Sequence, residues 1–509
     1  MDNNEKVANL AKLRLEATNG GGEAKVKAQH NAGKKTARER IALLFDEGTF
    51  IETDSFLKNR NPLTAEDSYA DGVVAGYGTV NGSLVYAYCQ DFTVLSGSVG
   101  EMNAKKIAKI YNMAIKTGAP LVSVIDCGGI RLEDGLDGVS AVAEIMASAS
   151  EASGVIPQIC MVAGPCAGSM TFIPAVSDFV FAVDKISKLY VNSKEVIEGT
   201  TEEKCDSFAT SVFAAKNGMA DFVCATEEEC FAAIKNLLLY LPSNYQESTF
   251  TQATTDDINR ACDITSLIPE DDKASFNMLS IISEIADNKA YVEIAKDYAK
   301  NMITALIQLN SETVGVVANQ PMEGDSLLDE AAAKKAAKFV QFCDSFGIPV
   351  LSLVDCEGYA ISFASEKAGL MKEIAKLGFA FHEATVAKVN VIVRKAYGGA
   401  FAVMNSKQMG ADFSYALPTA IISATTPEIA LNMFYTDEVK KASNPVSARQ
   451  EIMDNYKNEA ASPYEAAKRG YIDDIIDPSA LRPVLVSAFD VLSSKRITKT
   501  EKKHGNLPM

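Results

Sequence analysis

Histidine is scarce in this chain: only His30, His382 and His504 occur among 509 residues, far apart in sequence. No zinc site of the usual spacing can be built from so few, and a Ser-His-Asp triad has little to draw on. Ten cysteines are present, but no two form a C-x-x-C pair. Cys89, Cys127, Cys160 and Cys356 sit inside apolar runs and read as small core residues in a reducing compartment. No apolar run approaches the roughly 20 residues of a membrane helix. The start, MDNNEKVANLAKLRLEA, is charged and helical, without the apolar core of a secretory signal. A cytoplasmic protein with no direct membrane insertion is expected. A net charge of −17 argues against a broad basic face for nucleic acid, though not against anionic ligands. With metal and nucleophile chemistry poorly supplied, any reaction is expected to lean on backbone donors.

What is present is repetition. VSVIDCGGI (122–130) reappears as LSLVDCEGY (351–359), which puts Asp126 and Asp355 229 positions apart (355 − 126). Asn81 and Asn310, and Val85 and Val314, share that offset. Further on, VAGPCAGS (162–169) matches VRKAYGGA (393–400) at 231 (399 − 168), and SDFVFAV matches ADFSYAL at 234 (412 − 178). Ordered matches with a slowly drifting offset indicate an internal duplication. Each copy reads as a strand (84–88 or 313–318), a long helix (104–116 or 330–346) and the Asp-Cys strand. A second helix follows, then a third strand (155–163 or 389–393) running into a glycine-rich turn. Strands alternating with helices imply βαβ units and a mainly parallel sheet. The length suits two domains, 1–250 and 251–509; the polar stretch 242–272 reads as their connection.

The turns are the candidate sites. Gly164-Pro165-Cys166-Ala167-Gly168-Ser169 leaves a strand and enters a helix, as does Tyr397-Gly398-Gly399-Ala400. Such turns expose backbone N–H groups. With Gly128 and Gly129 supplying a second N–H, the first could form an oxyanion hole. Tight strand–helix packing explains one glycine turn; two at equivalent positions favour function. A basic cluster, Lys25, Lys27, Lys34, Lys35, Arg38 and Arg40, could neutralise phosphates of a nucleotide-bearing ligand, or could be a solvated helix face. Asp126 and Asp355 read as structural groups at strand ends.

These motifs resemble the carboxyltransferase subunits of biotin-dependent acyl-CoA carboxylases and decarboxylases, of the propionyl-CoA carboxylase β and methylmalonyl-CoA decarboxylase α type. The resemblance is carried by TARERIALLFDEGTFIET (36–53), ADGVVAGYGTVNG (70–82), QDFTVLSGSVGE (90–101) and SGVIPQICMVAGPCAG (153–168). It continues through YLPSN (240–244), VGVVANQP (314–321), EATVAKVNVIVRKAYGGAF (383–401) and the ending KKHGNLPM (502–509).

The resemblance implies an α/β fold of two tandem crotonase-like (ClpP/crotonase) domains, assembled as a homohexamer. Acyl-CoA would bind on the first domain and the biotin of a separate biotinyl carrier protein on the second, with each active site shared between subunits. By that analogy Gly168 and Ser169, with Gly128, Gly129 and Ile130 nearby, would hold the thioester oxygen. Gly399 and Ala400 would hold the biotin ureido oxygen, with Gly358 and Tyr359 on the loop that borders the biotin pocket. Lys34 and Arg38 would meet the coenzyme A portion, and Ala402 would bear on acyl preference.

Four departures from the family pattern stand out. Ser169 replaces a glycine, Ile130 an alanine and Ala402 an aspartate. The loop Pro-Gly-Phe-Leu-Pro-Gly becomes Glu357-Gly358-Tyr359-Ala360-Ile361-Ser362. The chain carries no ATP-grasp pattern and no biotinyl-lysine motif, so a biotin carboxylase or a membrane decarboxylase subunit is an expected partner. Two other readings compete with carboxyl transfer: a biotin-independent crotonase-type decarboxylase, hydratase or isomerase, and a non-catalytic scaffold of a carboxylase complex.

Overall fold

A computed structural model describes residues 2–63, 69–249, 254–497 and 499–506. The chain divides into two compact units, Met1–Ser248 and Thr249–Met509. The expected boundary after residue 250 falls within 250–253, outside the described residues, as do the last three residues of the KKHGNLPM ending.

The first unit is built on eight strands: β1 (Ile51–Glu52), β2 (Val73–Val80), β3 (Ser83–Gln90), β4 (Leu121–Cys127), β5 (Gln158–Ala167), β6 (Phe179–Val183), β7 (Lys188–Tyr190) and β8 (Phe222–Cys224). Their order is β1-β2-β3-β4-β5-β6-β8, with β7 on the C-terminal end of β5. The sheet is antiparallel through β1, β2 and β3 and parallel from β3 onward. Every residue of β4 is buried, as a central parallel strand requires. The helices Glu101–Thr117 and Leu136–Ala152 pack on each other and close the core around Ile107, Ile110, Ile145 and Ala149.

The second unit repeats this plan with β9 (Tyr291–Ile294), β10 (Met302–Leu309), β11 (Glu312–Asn319), β12 (Leu327–Leu328), β13 (Val350–Cys356), β14 (Gly358–Tyr359), β15 (Lys388–Tyr397), β16 (Phe413–Ala416), β17 (Ile421–Ser423) and β18 (Asp474–Ile475). Its sheet runs β18-β16-β15-β13-β11-β10-β9, with β17 on β15, the same order strand for strand. The β2–β3 and β10–β11 hairpins turn at Asn81-Gly82 and Asn310-Ser311, all four residues at positive φ. That is the conformation of the two-residue hairpin turn that asparagine and glycine favour. A carboxylate caps each turn: Asp46 accepts from the N–H of Asn81 and Gly82, Asp287 from those of Asn310 and Ser311.

The structure corrects three expectations. Both third strands run further than hydrophobicity suggested, to Ala167 and Tyr397, and the first also starts later, because residues 153–157 form the turn after a helix. The stretch 242–272 is not all connection, since Cys262, Ile264 and Ile268 are buried in the core of the second unit. Finally, strand register moves the glycine turns by one residue. Cys127 opposes Cys166 and Cys356 opposes Ala396, each just past a slip in register. The offset there is 230 (396 − 166), so Gly168 corresponds to Gly398 and Ser169 to Gly399. Both Gly168 and Gly398 have φ +61°.

Candidate functional site

Each unit brings two strand ends together, and the phrase repeated in the sequence lies on one of them. In the first unit β4 ends in Asp126-Cys127 and β5 ends at Ala167. Asp126 is fully buried and held by charge: Arg40 Nη1 reaches it at 2.9 Å, Lys34 Nζ at 2.8 Å and Gln29 Nε2 at 3.0 Å. Arg40 also bonds Glu227 and donates to the Ala163 carbonyl at 2.7 Å, so one guanidinium ties β4 to β5. Gly164 is forced by this arrangement, since a Cβ there would lie 1.9 Å from Asp126 Oδ1. The second unit pairs its carboxylate differently. Asp355 meets Arg394, which stands on β15 at the position equivalent to Gly164, at 2.9 Å.

Beyond these anchors the chain turns sharply. Gly129 has φ +110°, and a Cβ on it would stand 3.8 Å from the Ala167 carbonyl. Gly168 begins the turn after β5, Ser169 is exposed, and Met170 is buried beneath it. A helical turn starting there leaves the N–H groups of its first residues without intrahelical acceptors. In the second unit Gly399 is exposed and Ala400 buried, repeating the pattern. Tyr359 lies against Gly399: a Cβ there would stand 2.9 Å from the phenol oxygen. Gly358, at φ +144°, makes the bend that presents it. Ala402 is exposed, and its carbonyl accepts from Ser406 Oγ.

Three expected roles do not fit this geometry. The Gly128 N–H is not free, because it donates to the Ser96 carbonyl at 3.0 Å, and that of Gly129 points to Cys127 Sγ at 3.3 Å. Lys34 is spent on Asp126 and lies 4.0 Å over the Phe92 ring. Arg38 bonds Glu52 at 2.7 Å and the Ala17 carbonyl at 2.9 Å. Of the rest of the basic cluster, Lys35 pairs with Glu228 and Arg40 with Asp126 and Glu227. In an acidic chain these cations neutralise internal carboxylates.

The thiols nearby are not nucleophiles. Burial pushes Cys127 up to about 11 and Cys356 to about 12, so both stay protonated at neutral pH. Burial also raises the Tyr359 phenol above its ordinary value, with Cys356 adding to the shift.

Beside Tyr359 opens a cleft of about 690 Å³ lined by Ile361, Phe363, Leu370, Met371 and Ile374. Ile361 is 92% exposed and Phe363 84%. Mostly apolar walls of this kind suit a small apolar ring, so these residues fit a biotin head group.

Sequence reasoning missed Gly398 as the residue at the kink. It also missed a buried lysine repeated in both units. Lys106 donates to the Val73 carbonyl and Lys335 to that of Met302, both at 2.7 Å. Donors and acceptors are each 229 apart (335 − 106, 302 − 73), a spacing legible in the sequence.

The carboxyl transferase domain model matches residues 28–507. The chain belongs to the carboxyl transferase family. This carboxyltransferase is 40% identical to the methylmalonyl-CoA decarboxylase α subunit of Propionigenium modestum, over 99% of both chains. It is 41% identical to the propionyl-CoA carboxylase β chain of Cereibacter sphaeroides, over 98% of this chain and 99% of the relative. A structure of transcarboxylase 12S, described as a hexamer with methylmalonyl-coenzyme A bound, superposes with a TM-score of 0.96 at 37% identity, covering 100% of this carboxyltransferase and 99% of that chain. The duplicated α/β units of the carboxyltransferase are thus the two crotonase-like domains that the motifs implied. Among its described residues, no helix is long and apolar enough to cross a membrane.

Proposed function

We propose that this carboxyltransferase moves CO₂ between biotin on a separate carrier protein and the α-carbon of a short acyl-CoA of the propionyl/methylmalonyl type. The observation that carries this reading is the pair of equivalent glycine turns, Gly168-Ser169 and Gly398-Gly399-Ala400. They occur in a chain that matches, end to end, relatives named for methylmalonyl-CoA and propionyl-CoA.

In the decarboxylating direction the bond from the α-carbon to the carboxylate breaks, and its electron pair moves onto the thioester oxygen as an enolate. The N–H groups of Gly168 and Ser169 face that growing charge, and donors that strengthen as charge develops lower the barrier. A proton then adds at the α-carbon; carboxylation runs the same steps in reverse. Biotin, when bound, supplies the nitrogen that carries CO₂, and the Gly399 and Ala400 N–H groups would hold its ureido oxygen. Ile130 and Ser169 narrow the acyl end, and Ala402, on the second unit, lacks the charge of the family's aspartate.

Relatives bearing decarboxylase and carboxylase names are equally similar, so direction belongs to the partner, a membrane decarboxylase subunit or a biotin carboxylase. A cytoplasmic homohexamer with sites shared between subunits completes the reading.

The test is CO₂ transfer from carboxyl-labelled methylmalonyl-, malonyl- and glutaconyl-CoA to free biotin by the purified protein. Biotin-dependent release of label, fastest with methylmalonyl-CoA, is expected. A folded oligomer that transfers from none of the three refutes the proposal, and turnover indifferent to biotin replaces it with simple acyl-CoA decarboxylation.

A further inference from the structure

One side chain at the second turn carries a polar atom that the protein itself does not use. Tyr359 is held by β14, whose backbone pairs with β12, Leu328 opposite Tyr359, and the Ala360 N–H donates to the Leu328 carbonyl at 3.0 Å. Its ring is half-buried, yet among the described residues its hydroxyl has no hydrogen-bond partner. Its oxygen is not closed off by the protein, so the donor is open to a bound ligand. The phenol oxygen stands 2.9 Å, and ring Cε2 3.2 Å, from where a Cβ on Gly399 would be. The hydroxyl therefore overhangs the residue whose amide is proposed to face the ligand. The glycine there is what lets the ring come so close.

The first unit has no phenol at this place. The equivalent of Tyr359 is Ile130 (359 − 130 = 229), which offers no donor. The family loop quoted above has phenylalanine at this place, so the hydroxyl is also a departure of this chain. The two turns share a backbone course, with Gly168 and Gly398 both at φ +61°, but only the second has a phenol laid against it.

We propose that the Tyr359 hydroxyl donates a hydrogen bond to the ligand oxygen held at Gly399 and Ala400. It would be a third donor beside the two backbone N–H groups. This rests on the proposed function, in which that oxygen is the biotin ureido oxygen. Burial supports it by keeping the phenol protonated, and so a donor, across the neutral range. As charge builds on the oxygen during transfer, an O–H donor fixed in place strengthens without reorganising.

The experiment compares the full-length protein with Tyr359→Phe, using methylmalonyl-CoA as CO₂ donor and free biotin as acceptor. The expected result is a fall in kcat of about 10- to 100-fold. The KM for methylmalonyl-CoA, and its affinity measured without biotin, should stay within about twofold of wild type. A Y359F enzyme as fast as wild type overturns the inference and leaves the proposed function standing. Wild type that transfers nothing to biotin overturns both. Loss of methylmalonyl-CoA affinity in step with kcat also overturns it, because the phenol would then be supporting the fold. Incorporating a fluorinated tyrosine at 359, which keeps ring and donor but ionises at lower pH, gives a second readout. The alkaline fall in rate should move to lower pH, and an unmoved profile counts against donation.

Discussion

Replacing Arg40 by methionine tests the arrangement on which the first site depends. Arg40 is fully buried and makes four short contacts: to Asp126 at 2.9 Å, to Glu227 at 2.8 and 3.0 Å, and to the Ala163 carbonyl at 2.7 Å. Methionine fills much of the same volume without charge. Asp126 would keep Lys34 and Gln29, but buried Glu227 would retain only the Lys35 N–H at 3.1 Å. Removing one partner of a buried ion pair costs about 3–5 kcal/mol, mostly through the charge left behind. At a urea slope of about 1–3 kcal/mol/M, the midpoint for the first unit should fall by roughly 1–5 M.

The cost is that of a buried carboxylate left without its charge partner. The double variant R40M/E227Q removes the orphaned charge and should be more stable than R40M alone, a sign that additivity cannot give. Urea unfolding of the four members of the cycle is the assay. An R40M variant within about 1 kcal/mol of wild type, or a double variant no better than the single, would refute the reasoning.

Two further outcomes follow from the same geometry. Gly399→Ala places a methyl 2.9 Å from the Tyr359 oxygen and must displace the ring. Since Gly399 is not at positive φ, the substitution should cost under about 1 kcal/mol in stability but about tenfold in biotin-dependent transfer. Combining it with Y359F should cost little more, and additive losses in steady-state kinetics would separate the two residues. Lys106 is buried, and desolvation lowers it to about 8. Its folded pKa lies below the unfolded value of about 10.4, so the unfolded chain takes up the proton between them and stability rises with pH across that window. The gain is up to about 3 kcal/mol and should vanish in Lys106→Met; identical slopes of urea midpoint against pH in both proteins would count against it.

Much of this protein was legible in its sequence. The repeat from Val122 to Ile130 and Leu351 to Tyr359 exposed the duplication, because buried central strands tolerate little but β-branched and small apolar residues. Asn81 and Asn310 showed in the sequence as one more pair at the same offset, and the structure puts both in hairpin turns at positive φ. The family motifs named carboxyl transfer, and the full-length match agrees. Charge was the blind spot: Lys34 and Arg38 look like phosphate ligands when only neighbours in sequence are visible.

Tertiary structure alone showed that those cations are spent on Asp126 and Glu52, carboxylates that approach only once the sheet has formed. It also decided which glycine stands at each kink, because strand register is set by inter-strand hydrogen bonds that no local pattern records. And it laid the Tyr359 hydroxyl against Gly399, 40 residues away (399 − 359), where two strand ends converge. Sequence determined the repeating parts through local rules of burial and turn geometry, while the site is a meeting of parts that only the closed sheet brings about.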